Sequence, residues 1–472
     1  MHSAQPAAGL EPATFRRLFA LAWPIVISRS SQTVIGLSDA ILCAPLGESS
    51  LAAATAGGMN AFTLFILPMG MVFVVASFSS QYTGKGDSAG ARRYGMYGLW
   101  LALLAEVFCL LGAYLAPMAL QHLEFTPEVR TLMSGYLRYR LLSGGAVVGM
   151  EALAGYYGGL GNTRLPMIAN VVAMVLNVLL NWILIWGHFG APAMGVNGAA
   201  LASTLATTTA FGGLLFCYWR GLGTSGAWIK GAVQPVAGAD LPRQRLSLSE
   251  FGNMVKIGLP SGLNWFFEFA AFMFFINVVV PVLGTTAVAA LMAVFQINGV
   301  SFMPAFGLAS AGAILVGQEI GANERDRVPK TVRLTFLAAL AWQGIAGLIY
   351  LALPNLLMRP FASGDDTVSA NFYFIGSRML MISAAWQAFD AVCGTLTEAL
   401  RAAGDTAFTL WIRLGVAWLF FVPGVWFTVV RNHQDDRAAM GWLVAYLAVL
   451  GGALYLRFRS GAWRKIEITQ PV

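Results

Sequence analysis

The sequence predicts an all-α polytopic membrane protein of twelve transmembrane helices in two pseudo-symmetric six-helix lobes. Three observations carry that prediction: the apolar composition, the long uncharged runs, and a repeat relating the two halves of the chain. Of 472 residues, 57% are hydrophobic and 11% charged, whereas soluble domains carry charge at about a quarter of their positions. At about 20 residues per crossing, the apolar content suffices for about twelve helices with little left over. A large catalytic globule is thereby excluded. The runs are continuous rather than alternating, which excludes a β-barrel as well.

Taken in order, the runs place spans at 15–44, 51–80, 92–118, 130–157, 165–186, 195–219, 251–281, 287–316, 331–353, 367–397, 407–430 and 438–457. Two tracts are too long for one crossing. Leu165 to Trp219 breaks at Trp186-Gly-His-Phe-Gly-Ala-Pro, and Phe269 to Gln318 breaks near Pro281-Val-Leu-Gly284, so each is a helical hairpin. The longest connection, 220–250, holds Gly, Pro, Ser and basic residues and is expected to be a flexible cytoplasmic linker between residues 1–219 and residues 251–472. With both termini inside, the cytoplasmic segments hold roughly 20 Lys and Arg, while the outer loops hold Arg130, Arg359, Arg431 and Arg437. The net charge of +7 therefore records orientation in a membrane, and no nucleic-acid partner is expected. Met1 to Arg17 is polar and contains Pro, so it is not expected to be a cleavable signal.

The halves repeat. Leu21-Ala-Trp-Pro24 matches Ile257-Gly-Leu-Pro260, Leu46-Gly47 matches Leu283-Gly284, Gln81-Tyr-Thr-Gly84 matches Gln318-Glu-Ile-Gly321, and Gly161-Asn-Thr163 matches Gly404-Asp-Thr406. Six spans per copy is an even number, so both copies enter the membrane in the same direction and enclose a central cleft. Two lobes around a cleft are the architecture of a secondary transporter. No Gly-rich loop ending in Gly-Lys-Ser/Thr occurs, which leaves an ion gradient as the energy source.

Charges inside spans cost about 2.5 to 3.5 kcal/mol on insertion scales and face a cavity or a partner. Glu268, in Asn264-Trp-Phe-Phe-Glu-Phe, lies deep in the seventh span among aromatics, and Asp390, in Trp386-Gln-Ala-Phe-Asp, lies in the tenth. Both suit a carboxylate that takes up and releases a proton or binds a monovalent cation; the competing reading is a structural ion pair, with Arg378 at hand. Asp39 falls late in the first span, and Asn177 and Asn181, four apart in the fifth, project from one face. These amides either bond a neighbouring acid or glue helices together. Glu106 has no evident partner in the sequence, and Glu151 and Glu398 precede Ala-Leu at equivalent places, which favours a structural role. Arg29, Arg138, Arg140 and Arg413 are expected to snorkel or to pair within a lobe. The four Cys stand singly within spans as small apolar residues, and the four His lie in the tail or loops.

Over nearly its whole length the chain resembles the multidrug and toxic compound extrusion (MATE) family. The resemblance rests on Pro24 with Asp39, Gln81-Tyr-Thr-Gly-Lys-Gly-Asp87, Gly159-Leu-Gly-Asn-Thr-Arg-Leu-Pro166 and Asn177-Val-Leu-Leu-Asn-Trp182. It continues through Phe189-Gly-Ala-Pro-Ala-Met-Gly-Val-Asn-Gly-Ala-Ala-Leu-Ala202, Leu259-Pro-Ser-Gly-Leu-Asn-Trp-Phe-Phe-Glu268 and Gln387-Ala-Phe-Asp390. It implies an antiporter of the bacterial inner membrane that exports organic, often cationic and amphipathic, compounds in exchange for Na+ or H+. Glu268 and Asp390 match the family's second-lobe cation-binding carboxylates, with Na+ as one ion they would take. Asp39 matches the first-lobe acid, with Asn177, Asn181 and Ser203 around it. Three departures stand out: Asn181 replaces an Asp found in some relatives, Leu291-Met292 replaces a polar His-Gln pair, and Arg378 adds a charge above Asp390 that could neutralise it.

A monomer among membrane lipids is expected, with no cofactor beyond the coupling ion and no enzymatic activity. The alternative within the same superfamily is a lipid-linked saccharide flippase. Its pyrophosphate would call for basic cleft residues, for which Arg29, Arg138, Arg140 and Arg378 are available. A lipid-acting enzyme would require an Asp-rich or His-rich cluster that the sequence lacks.

Overall fold

The structure is a computed structural model that describes residues 11–122, 125–224, 246–361 and 366–469. Most of the expected linker, residues 225–245, lies outside the described residues. Among the described residues, eleven helices are long and apolar enough to cross a membrane: α1 (Phe15–Leu46), α2 (Glu48–Gly84), α3 (Ser88–Leu120), α5 (Arg164–Trp186), α6 (Val196–Trp219), α7 (Leu248–Leu283), α8 (Thr285–Gly321), α9 (Val328–Ala352), α10 (Ala370–Ala403), α11 (Thr406–Arg431) and α12 (Asp436–Arg459). The fourth span, α4, is interrupted. It runs Pro127–Arg140, tightens through Leu141–Ser143, and resumes as Gly144–Gly159. Ser143, Gly144 and Gly145 mark the break, and Arg138, Arg140 and Glu151 lower its apolarity.

Local chemistry explains the ends of these helices. Thr14 caps α1 by accepting the Arg17 N–H at 3.3 Å. Gly187, at φ 76°, closes α5 in the left-handed conformation and turns the chain at the Gly/Pro break expected from the sequence. The repeat recurs in the backbone: Gly47 and Gly284 share φ values of 108° and 96°, and Gly161 and Gly404 share 87° and 88°.

Within the first six helices, α1 packs on α5, α5 on α6 and α3 on α4; within the last six, α10 packs on α8, α9 and α12, and α7 on α11. The two sets meet through α1 against α8, α2 against α7, and the end of α2 against the end of α8. At the last crossing the backbones touch: a Cβ added to Gly84 would strike the Gln318 carbonyl, and one added to Gly321 would strike that of Gln81. Reciprocal amide bonds tie the same end. Gln81 Nε2 donates to Ala402 O at 2.7 Å, and Gln318 Nε2 donates to Gly159 O at 3.0 Å. Farther in, the Cβ position of Gly70 comes within 2.7 Å of Gly262 Cα. The cleft is therefore shut at the end carrying most of the Lys and Arg, hereafter the basic end.

These crossings also explain a correction to the span limits. α2, α8 and α10 run on to Gly84, Gly321 and Ala403, beyond the expected 80, 316 and 397. The apolar runs stop at Gln81, Gln318, Glu319, Glu398 and Arg401, but all five side chains are buried, so the helices continue as partnered interface. Gly321→Leu is expected to hold this end open. Overpacking of about 1–3 kcal/mol lowers the ratio of closed to open states by about fivefold to more than a hundredfold. Spin labels at Ser88 and Lys330, on exposed positions flanking the crossing, would report a shift to longer separations; an unchanged distance distribution would refute the close-approach role of Gly321.

Candidate functional site

In the first lobe, Asp39 of α1, Asn177 and Asn181 of α5, and Ser203 of α6 come together and are all buried. The i, i+4 spacing on α5 aims both amides at Asp39. Asp39 Oδ1 accepts Asn177 Nδ2 at 3.1 Å and Asn181 Nδ2 at 2.6 Å, and Oδ2 accepts Ser203 Oγ at 2.7 Å. Every hydrogen-bond partner is neutral, and among the described residues Asn181 Oδ1 is left without a partner. A carboxylate in this setting has its geometry fixed by neutral donors, while Arg140 acts on it through space and not through an ion pair.

The second lobe arranges its acids differently. A cavity of about 440 Å³ between the lobes is walled by Glu268, Asp390, Gln343 and Asn298 with Trp265 and Phe302 among its aromatics. Glu268 forms an ion pair with Arg413 of α11. Asp390 is part-buried, and its Oδ2 accepts Gln343 Nε2 at 2.6 Å. Around it Gln387 Nε2 donates to Asn298 Oδ1 at 2.5 Å, and Ser301 Oγ to Gln387 Oε1 at 3.0 Å. Among the described residues Gln343 Oε1 is buried without a hydrogen-bond partner. Two carboxylates and one guanidinium leave one net negative charge in this lobe's site.

Arg378 does not neutralise Asp390. Its Nε donates to Asp436 Oδ2 at 2.9 Å and its Nη2 also bonds that carboxylate. Twelve residues separate Arg378 from Asp390 on one helix, about 18 Å of rise, so the guanidinium reaches the start of α12 instead. The ion-pair reading of Glu268 holds with Arg413 in place of Arg378.

A MatE family model matches residues 24–183 and 260–427, more than half of the chain and once in each half. The chain belongs to the MatE family. It is 28% identical over 456 residues to "Multidrug resistance protein PmpM" of Pseudomonas aeruginosa, covering 95% of this chain and 91% of the relative. It is 26% identical over 469 residues to "Probable multidrug resistance protein NorM" of Thermotoga maritima, covering 96% and 94%. Among solved structures it superposes on an outward-facing conformation of a multidrug resistance MATE family transporter of the MOP superfamily, with TM-score 0.81, 20% identity, and 98% and 99% of the two chains covered. A transporter from Pyrococcus furiosus, described as having a binding pocket of reverse polarity, matches with TM-score 0.81 and 20% identity over 95% and 96%. This likeness shows the two-lobe MatE fold.

Several polar residues of this MatE chain escaped the sequence reading. Gln343, Asn298 and Gln387 are single amides in apolar runs, and only their depth within spans marked them. Arg29 was expected to snorkel or to pair within its lobe, and it pairs: Nη1 and Nη2 donate to Glu151 Oε1 and Oε2 at 2.7 and 2.8 Å. Glu398 pairs with Arg401. Glu106 is not bare either, since its Oε2 accepts the Gly145 N–H at 2.5 Å beside the break in α4. Arg413→Met is expected to destabilise the protein by about 1–3 kcal/mol, less than the loss for a fully buried pair because Glu268 is 34% exposed. Adding Glu268→Gln should recover most of that loss in thermal melts followed by size-exclusion chromatography. Recovery with Arg378→Met and not with Glu268→Gln would overturn the assignment of partners.

Proposed function

We propose that this chain is a secondary antiporter that exports organic compounds, multidrug-like in range, in exchange for Na+ or H+. Residues 1–219 and 251–472 act as the two lobes, joined by the 220–250 segment, in a monomer of the bacterial inner membrane with both termini in the cytoplasm. One observation carries this reading. A carboxylate, Asp390, stands in the wall of the interlobe cavity with one amide donor and with a net charge of one around it once Arg413 has balanced Glu268. A single monovalent cation neutralises that site. Asp39, bonded only by neutral donors, offers a second place for a proton or ion. The printed names of the relatives support export of drugs as the direction and cargo.

The mechanism follows from differential stability. Closing the lobes around an uncompensated carboxylate costs more than closing them around a neutralised one, so ion loading and substrate favour different orientations. With the basic end cytoplasmic, the crossing of α2 and α8 closes the inner side and the cleft faces outward. The flippase alternative relied on Arg29, Arg138, Arg140 and Arg378. Glu151 and Asp436 balance the first and last, which leaves too few free guanidiniums on the cleft to hold a pyrophosphate.

In proteoliposomes with an imposed Na+ or H+ gradient, export of a fluorescent organic cation should depend on one gradient. Asp390→Asn should reduce gradient-driven flux at least about tenfold, because the asparagine cannot carry the countercharge. Gradient-driven flux unchanged in both Asp390→Asn and Asp39→Asn would sink the coupling assignment.

A further inference from the structure

A second cavity of about 380 Å³ lies between the lobes, beside the one that holds Asp390. Its walls are aromatic and sulfur-bearing, with Phe65, Phe73, Met69 and Met303, and Trp265 and Phe302 are common to both cavities. Three charged residues line it: Arg29, Glu151 and Arg140. Arg29 and Glu151 cancel through their two-pronged bond. Arg140 does not cancel. Among the described residues it has no carboxylate within 4.0 Å. Its Nη1 donates to Ser143 Oγ at 2.5 Å, and its guanidinium carbon lies 5.3 Å from the Phe65 ring centroid.

Asp39 attracts the guanidinium through space without pairing with it, and the carboxylates of Asp39 and Glu106 take their hydrogen bonds from neutral donors. Asp39 has its oxygens on Asn177, Asn181 and Ser203, and Glu106 accepts the Gly145 N–H. The end of the helix Pro127–Arg140 gives the guanidinium a partial negative charge, which helps hold it in an apolar setting without a counter-ion. A guanidinium has five N–H donors in a fixed fork that matches a planar or tetrahedral oxyanion. On an aromatic wall, such a fork recognises the anionic head of a flat apolar molecule. The two cavities then present unlike groups, a guanidinium without an ion pair at Arg140 and an amide-held carboxylate at Asp390, with a shared aromatic wall between them.

We propose that Arg140 is an anion-recognition point of the cleft and that the cargo includes amphipathic aromatic organic anions. This rests on the cleft being the substrate path, as in the reading above. An anion seated at Arg140 does not compete with a coupling cation at Asp390 for the same oxygens. It differs in this respect from a cationic cargo, which would be drawn to the acidic cavity.

The test uses two flat bicyclic probes of matched size and fixed opposite charge, 2-naphthalenesulfonate and N-methylquinolinium. Binding to the purified full chain in lipid nanodiscs is measured by calorimetric titration with no gradient present. The sulfonate is expected to bind, Arg140→Gln to weaken it about tenfold or more while leaving the quinolinium unchanged, and Arg140→Lys to retain an intermediate affinity. Absence of sulfonate binding to the unaltered chain, an unchanged affinity in Arg140→Gln, or an equal loss for both probes would overturn the proposal. Arg140→Lys keeps the charge at the break in α4, so if the glutamine variant does not fold, equal affinities of both probes for the lysine variant and the unaltered chain overturn the fork-specific role. Loss of gradient coupling in the acid variants would leave this binding result intact, so the two readings fail separately.

Discussion

The rest of the architecture depends on the crossing of α2 and α8 at the basic end. Gly84 and Gly321 lie against the carbonyls of Gln318 and Gln81, and the same two glutamines send their amides across to Gly159 and Ala402. Only glycine permits that approach, and only a buried amide with a partner tolerates it. The contact is made twice by equivalent residues, so a single motif, Gln-x-x-Gly, is both knob and socket. Beside the crossing an apolar seam joins Leu18, Leu21 and Ala22 of α1 to Leu308, Ala311, Ile314 and Leu315 of α8, so the backbone and amide contacts fix the register and the seam supplies the area.

Away from that crossing, the chain deals with charge inside its spans by pairing it within a lobe. Arg29 with Glu151, Arg378 with Asp436, Arg401 with Glu398 and Arg413 with Glu268 each remove one cation and one anion from the apolar interior. On the antiport reading proposed above, pairs within one lobe stay intact when the lobes move relative to each other, so they add no barrier to that motion. Asp39, Asp390 and Arg140 take their hydrogen bonds from or give them to neutral partners, as Glu106 and Glu319 also do. In a medium where an unpaired charge is costly, such groups are the places where something mobile has most to gain by binding.

Much of this was legible in the residues. Apolar runs and Gly/Pro breaks located the helices, and the repeat located Gly47, Gly84, Gly161 and their partners before any fold was drawn. Asn177 and Asn181 could be placed on one face by spacing alone, because a helix fixes the angle between i and i+4. What could not be read was which charge meets which. Arg378 and Arg413 are both arginines in the second half near acids, and choosing between them depends on the height of each along its helix and on which helices are neighbours. The overrun of α2, α8 and α10 was hidden for a related reason: a polar residue at the end of a run reads as a loop unless a second lobe is known to cover it.

The distinction between ion-paired and amide-held carboxylates decides which acid can exchange its countercharge. To exchange its countercharge, Glu268 gives up Arg413 and leaves that guanidinium unpaired, at a cost of about 1–3 kcal/mol for a pair whose Glu268 is 34% exposed. Asp390 needs to give up nothing, since Gln343 can keep donating to one oxygen while the other receives the ion, and the unpartnered Gln343 Oε1 lies on the same amide. Glu268 and Arg413 then act as a fixed dipole that sets the field at Asp390 without changing partners. The second lobe thus carries two acids with unlike partners, one ion-paired and one amide-held, and on the reading proposed above only the second is open to exchange, although the sequence presents them as equals.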